Sequence, residues 1–271
     1  MSVYPFGDRL LAFGEQGLPW ELHPETLETL GQFTFDGKLN EASPFAAHPK
    51  FDSHTGEMVN YGIFFSSQSP KLYFYCFDRT GLRFRKAIHL PYPCSVHDFS
   101  LSGHYAIFYL SPYVLDIKEF LRDGLTVMDS LHWQPELGSR LMILNRSNGD
   151  IVASIPAGNR YCLHLVNSFE QDGQLVVDVL EFEAPIYGQY QPVPDLFSNV
   201  PKGGPVRFVI DLQAHTLMDR IAMAYVQAPD FPAIDPRNAA RPFDELWMLG
   251  LSSAGTDGRK VFDQFVHASS T

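Results

Sequence analysis

Leu72-Tyr73-Phe74-Tyr75-Cys76-Phe77 is followed by Asp78-Arg79-Thr80-Gly81 and then by the run Leu82 to Ile88. Two strand-like runs around a turn that carries Asp and Gly predict an antiparallel hairpin. The pattern returns twice. Leu141 to Leu144 leads through Asn145-Arg146-Ser147-Asn148-Gly149 into Asp150 to Ile155. Val206 to Ile210 leads through Asp211-Leu212-Gln213-Ala214-His215 into Thr216 to Met223. The turns begin at residues 78, 145 and 211, spacings of 67 and 66. A steady period predicts a repeated supersecondary unit. A unit made only of strands reads as a propeller blade or as part of a sandwich. Three hairpins also recur by chance in antiparallel proteins, so the period alone leaves these readings open.

Composition sets the outer limits. Hydrophobic residues make up 45% of the 271 and charged residues 19%, which predicts a folded chain. One all-β domain of this length is ordinary. The net charge is −11 and Lys and Arg form no stripe. Phosphate backbones need positive charge to release their counterions, so nucleic acid is excluded as a partner. Cys76, Cys94 and Cys162 match no CxxC motif. So sparse a set fits a reducing compartment. The start shows no charged segment leading into an apolar run, and no stretch reaches ~18 unbroken apolar residues. A soluble cytoplasmic protein is expected, with peripheral contact to a membrane left open and no defined protein partner.

Two segments depart from the strand pattern. Val114-Leu115-Asp116-Ile117-Lys118-Glu119-Phe120-Leu121 has apolar residues near helical spacing, and Asp123-Gly124 would end a helix. It reads as a surface helix over a sheet edge or as part of a lid. Val261 to His267 reads as a strand opening just before the chain stops.

Ten histidines occur. His54, His104, His132 and His215 lie in polar or turn-like surroundings, and His23 precedes a proline. Three others differ. His48 lies in Pro44-Phe45-Ala46-Ala47-His48-Pro49, His97 in Cys94-Ser95-Val96-His97-Asp98-Phe99, and His164 in Tyr161-Cys162-Leu163-His164-Leu165-Val166-Asn167-Ser168-Phe169-Glu170. Each is set among small or apolar residues beside a strand-like run, at spacings of 49 and 67. One histidine per repeat, at the same end of each, would converge. Convergent neutral imidazoles suit Zn, Cu, Fe or Ni. Taken singly, each is more often a satisfied core histidine.

These stretches, in this order, resemble the carotenoid cleavage oxygenases, the family that splits carotenoids, apocarotenoids and lignostilbenes and includes retinal pigment epithelial membrane protein-like members. The similarity rests on Arg9 to Pro19, Leu27 to Gly31 and Phe45 to Pro49. It rests also on His97-Asp98-Phe99 with Tyr105 to Phe108, and on His164 to Glu170, which matches the family's His-x-x-Asn-x-x-Glu pattern. It is weakest around residues 110 to 135 and 185 to 205.

The resemblance implies an all-β fold: a seven-bladed β-propeller of which four to five blades are present. Residues 1–271 would then be a single partial domain without the family's N-terminal and C-terminal blades. It implies Fe(II) held by four histidines, with His48, His97 and His164 matching three. Acids beyond the ligands would orient the rings; Glu15, in its Glu-x-Gly-Leu-Pro setting, matches one. Asp230 falls where the family carries a second Glu, one methylene longer, which puts that hydrogen bond in question. The fourth histidine has no match, and His267 reads as a strand residue. The implied reaction joins O2 to a conjugated C=C bond of a hydrophobic substrate and releases two carbonyl fragments. The alternative is an inactive remnant that binds an apolar ligand. A propeller short of blades exposes apolar faces and strand edges. The 271-residue chain on its own is therefore expected to be poorly soluble or oligomeric and to cleave little, which size-exclusion chromatography with an activity assay would check.

Overall fold

The structure, a computed structural model, describes residues 2–186, 197–258 and 260–269. The chain divides into two compact units, Met1–Pro91 with Ser147–Asp150, and Tyr92–Arg146 with Ile151–Thr271. Both are built from antiparallel sheets of the propeller-blade kind.

The first unit holds two four-stranded sheets. One runs β1 (Ser2–Phe6), β2 (Arg9–Phe13), β3 (Trp20–Leu22), β4 (Thr29–Gln32), each strand beside the next. The other runs β5 (Lys50–Asp52), β6 (Glu57–Phe64), β7 (Lys71–Asp78), β8 (Gly81–His89) in the same order. Sequential order follows from short turns, which bring neighbouring strands together first. The β7–β8 turn shows the chemistry. Asp78 Oδ1 accepts from Thr80 N at 2.7 Å and from Thr80 Oγ1 at 2.6 Å, and Gly81 takes φ 115°. An aspartate closing its own turn and a glycine free to take positive φ specify the reversal. Leu11, Phe13, Phe45, Met58, Tyr75 and Phe77, none above 1% exposed, lie at the centre of the core.

The second unit begins with β9 (Ser100–Leu101) and β10 (Tyr105–Leu110). The chain then leaves the sheet through β11 (Tyr113–Leu115), helix α1 (Ile117–Asp123) and β12 (Leu131–Trp133). It returns as β13 (Arg140–Asn145) and β14 (Ile151–Pro156). The sheet order is β14-β13-β10-β9, with β11 and β12 paired apart as a ribbon. A second sheet runs β15 (Tyr161–Gln171), β16 (Gln174–Phe182), β17 (Gly203–Asp211), β18 (Thr216–Ala222), and a third β19 (Asp230–Ala233), β20 (Glu245–Gly250), β21 (Gln264–Ser269). Alternate residues of each strand share a face. Leu175, Val177 and Val179 therefore share one buried cluster with Phe208, Ile210, Ile107, Tyr109, Leu141 and Ile143.

All three hairpins expected from the sequence form, and each supplies the third and fourth strands of its sheet in chain order: β7–β8, β13–β14 and β17–β18. The period of 66 to 67 residues is the period of the four-stranded unit. The tail strand forms too, as Gln264–Ser269. The helix begins three residues later than its apolar spacing suggests. Tyr113–Leu115 pairs with β12, and Asp116 caps the helix by accepting from Glu119 N at 2.9 Å. Gly124 ends it at φ 62°.

Strand β16 is buried on both faces from Leu175 through Phe182. Asp178 within it, 2% exposed, faces Arg207 directly across the ladder. Their bonds are bidentate, Nε to Oδ1 at 2.8 Å and Nη2 to Oδ2 at 3.0 Å. Burial pushes the Asp178 carboxyl up and Arg207 pulls it back. Arg207→Ala is expected to destabilise by about 3–5 kcal/mol at neutral pH, because it leaves a buried charge unpaired. Without Arg207 the folded-state pKa of Asp178 lies further above its unfolded value. The loss in urea unfolding should therefore shrink as pH falls through that raised pKa and Asp178 takes up a proton.

Candidate metal centre

In the second unit the site grows from one irregular strand. The β15–β16 ladder is regular from Asn167 to Gln171 but shifts register between Cys162 and Leu165 and again between Leu165 and Asn167. His164 lies inside that irregular stretch, 9% exposed. A bulge re-aims a side chain without ending the strand.

His164 Nδ1 meets Asp230 Oδ1 at 2.5 Å. Asp230 is the first residue of β19 and 2% exposed. The same oxygen accepts from Phe231 N at 2.8 Å. Phe231 stands at φ 53°, unusual for a bulky residue. The shorter carboxylate thus does reach its histidine. A carboxylate on Nδ1 fixes the proton there and makes Nε2 the nitrogen with which such a ring ligates a metal.

His97 precedes β9 and is half-buried. Its ring lies 4.9 Å from that of His164 between centroids, edge-on at 75°. The neighbouring Asp98, 3% exposed, accepts from Leu165 N at 3.0 Å. Cys162 Sγ donates to the carbonyl of His164 at 3.3 Å. Burial, then the charges of Asp98, Glu181 and Asp230, push its thiol well above the ordinary range. Cys162 is therefore a neutral thiol. All three cysteines are buried and free.

His48 and Glu15 belong to the first unit. His48 is half-buried, just ahead of β5. The segment leading to it is held at successive residues. Tyr75 Oη donates to Pro44 O at 3.0 Å, Ala46 N to Tyr61 O at 2.7 Å, and Asn60 Nδ2 to Ala46 O at 2.9 Å. Ser2 Oγ donates to Ala47 O. At Gly62 an added Cβ would lie 2.0 Å from Pro44 O, so only glycine lets β6 approach this segment. Glu15 is exposed, in the loop between β2 and β3.

His267 is a strand residue, as expected, stacked on Trp247 at 5.1 Å with Nε2 3.1 Å from Glu245. Of the residues singled out in the sequence, the second unit brings together His97, His164 and Asp230. The roles of Asp98, Asn167 and Glu170 were not read from the sequence. Two of these three occupy the fixed places of the His-x-x-Asn-x-x-Glu pattern.

Antiparallel sheets of the propeller-blade kind here carry an imidazole pair and a buried carboxylate holding one ring, a donor set suited to a divalent metal. The family model for retinal pigment epithelial membrane protein matches residues 1–270. The chain belongs to that family, the carotenoid cleavage oxygenases. It is 30% identical over 185 residues to isoeugenol monooxygenase of Pseudomonas nitroreducens, covering 67% of this chain and 38% of that one. It is 29% identical to resveratrol cleavage oxygenase 1 of Aspergillus fumigatus, over 96% of this chain and 53% of the relative. To apocarotenoid-15,15'-oxygenase of Synechocystis it is 28% identical, over 91% and 51%. The chain thus spans about half or less of these relatives' length. A crystal structure of cobalt-substituted Synechocystis apocarotenoid oxygenase superposes with TM-score 0.83 at 26% identity, over 99% of this chain and 59% of that one.

Asp230→Asn keeps the shape and loses the charge that fixes the His164 proton. It is expected to weaken divalent metal binding by about 10–100-fold, read by titration calorimetry, while the unfolding midpoint moves little.

Proposed function

We propose that this chain belongs to an Fe(II)-dependent dioxygenase that cleaves a conjugated C=C bond with O2 and yields two carbonyl fragments. The observation that carries the reading is the His164–Asp230 bond with the His97 ring beside it, in a chain of this family. His48, His97 and His164 each offer one ring nitrogen, and we assign all three to one iron. The donor chemistry fits. Neutral imidazoles suit a divalent ion, and the buried carboxylate is engaged on the other nitrogen of the His164 ring. Iron, when bound, supplies the redox chemistry by which O2 reacts with an alkene.

The chain's own residues do the rest. Asp230 holds the proton on Nδ1 and sets the plane of His164. Glu15 is assigned the same duty toward a ligand ring. Phe231, its ring 6.0 Å from that of His164, and Phe262, 5.5 Å further on, offer an apolar surface where water is displaced and a flat substrate lies. The substrate class is therefore a hydrophobic polyene or stilbene. Nucleic acid is no part of this reading, given the charge of −11.

We also read residues 1–271 as one partial propeller domain, since one family model runs through both units. Among the described residues no helix is long and apolar enough to cross a membrane. Three free cysteines favour the cytoplasm, and α1, with Leu121 73% exposed, is the place for peripheral lipid contact.

Iron content and Fe(II) affinity of the purified chain should be compared with a His48→Ala, His164→Ala double variant. One iron per chain that the variant loses is expected. Equal, empty proteins would remove the metal assignment, and an iron-loaded protein that never consumes O2 with any polyene or stilbene would remove the reaction.

A further inference from the structure

Segment 98–104 and strand β15 are not joined by backbone pairing, since β9 pairs with β10 and β15 with β16. Side chains join them instead, at regular intervals. Asp98 accepts from Leu165 N at 3.0 Å. Ser100 Oγ shares a hydrogen bond with Ser168 Oγ, both residues buried. Ser102 Oγ donates to Glu170 Oε1, which also accepts from His104 N at 3.0 Å. The other oxygen of Glu170 meets His104 Nδ1 at 2.9 Å. Residues 98, 100 and 102 thus meet residues 165, 168 and 170 in step, starting beside His97 and His164.

The next blade is gripped in the same way. Asn167, 5% exposed, uses its whole amide on the loop that follows β19. Nδ2 donates to Asn238 O at 3.1 Å and to Arg241 O at 2.8 Å, and Oδ1 accepts from Ala240 N at 3.0 Å. At the head of β19, Asp230 grips His164. β15 therefore carries one candidate ligand and two braces, Glu170 toward the segment of His97 and Asn167 toward the segment of Asp230.

We propose that Asn167 and Glu170 are positioning residues that set the spacing and tilt of the His97 and His164 rings, each acting through the neighbouring blade. The inference deepens the metal assignment above and rests on it. The physical warrant is that hydrogen-bonding groups with every polar atom engaged, Asn167 buried and Glu170 half-buried, tie two segments to one register. An imidazole pair displaced by a fraction of an ångström no longer matches the geometry a metal demands. The alternation also gives the His-x-x-Asn-x-x-Glu spacing a cause: one ligand and one brace for each neighbour.

The test uses the full chain and cobalt(II) as probe. Asn167→Ala and Glu170→Ala are each expected to weaken Co(II) binding by about tenfold or more and to alter the visible absorption of the bound ion. Glu170→Gln keeps acceptors for Ser102 and the His104 N–H and should restore most of the affinity. Asn167→Asp keeps only the acceptor for Ala240 N and should restore less. If Glu170→Ala does not fold, Ser100→Ala removes the middle contact alone and should shift the spectrum in the same sense. Lower unfolding midpoints with unchanged affinity and spectrum would overturn the proposal. If the wild-type chain takes up no Co(II), the metal assignment fails on its own account. The braces are then judged on imidazole ¹⁵N shifts of His97 and His164 in the metal-free variants: moved shifts sustain them, and unmoved shifts overturn them.

Discussion

The bond between His164 and Asp230 ties two sheets of the second unit together. It joins the first strand of one sheet to the first strand of the next, at the ends where those strands begin. A carboxylate in a low-dielectric interior is costly unless it is fully engaged. Asp230 answers that cost with two partners on one oxygen, the imidazole Nδ1 and the Phe231 N–H. The second partner requires Phe231 to turn into the left-handed region, which a large side chain resists. The strain at Phe231 and the reach of Asp230 are two aspects of one arrangement. They also present the Phe231 ring, 55% exposed, beside His164.

The rest of the unit supports that end of the sheet. β15 gives up ladder regularity around His164, and side chains take over where backbone pairing lapses. Asp98 satisfies the N–H of Leu165 inside the irregular stretch, where a buried donor left alone would cost about 1–3 kcal/mol. Further along, β16 and β17 resume strict register and bury Asp178 against Arg207. The β15–β16 ladder is irregular at the end that carries His164, and the β16–β17 ladder is regular throughout.

Much of the fold was legible in the sequence because turns are written locally. Asp78 closing on Thr80 and Asp211 closing on Gln213 and Ala214 are bonds between residues two or three apart. Their spacing announced the blade period before any sheet was known. The start of the helix was misplaced for a local reason as well. Val114 and Leu115 fit a helical stripe equally well, but they pair with His132 and Leu131, and no local pattern reveals partners 18 and 16 residues away. The histidines were legible by setting. The bulge that re-aims His164, the φ of Phe231 and the Asp178–Arg207 pair were not, since each depends on a segment far along the chain.

Asp230 shows what substitution by one methylene asks of a fold. A longer carboxylate could reach an imidazole from a relaxed backbone, whereas a shorter one must be brought closer by the main chain. Here the ladder between β19 and β20 breaks between Asp230 and Ala233, immediately after the carboxylate. A strand that loses pairing there is less constrained by its own sheet, and Asn167 holds the loop that follows it. The irregularity of β19, the left-handed Phe231 and the amide of Asn167 therefore form one accommodation. It keeps a carboxylate on Nδ1 of His164, and a carboxylate on one ring nitrogen fixes the tautomer of an imidazole.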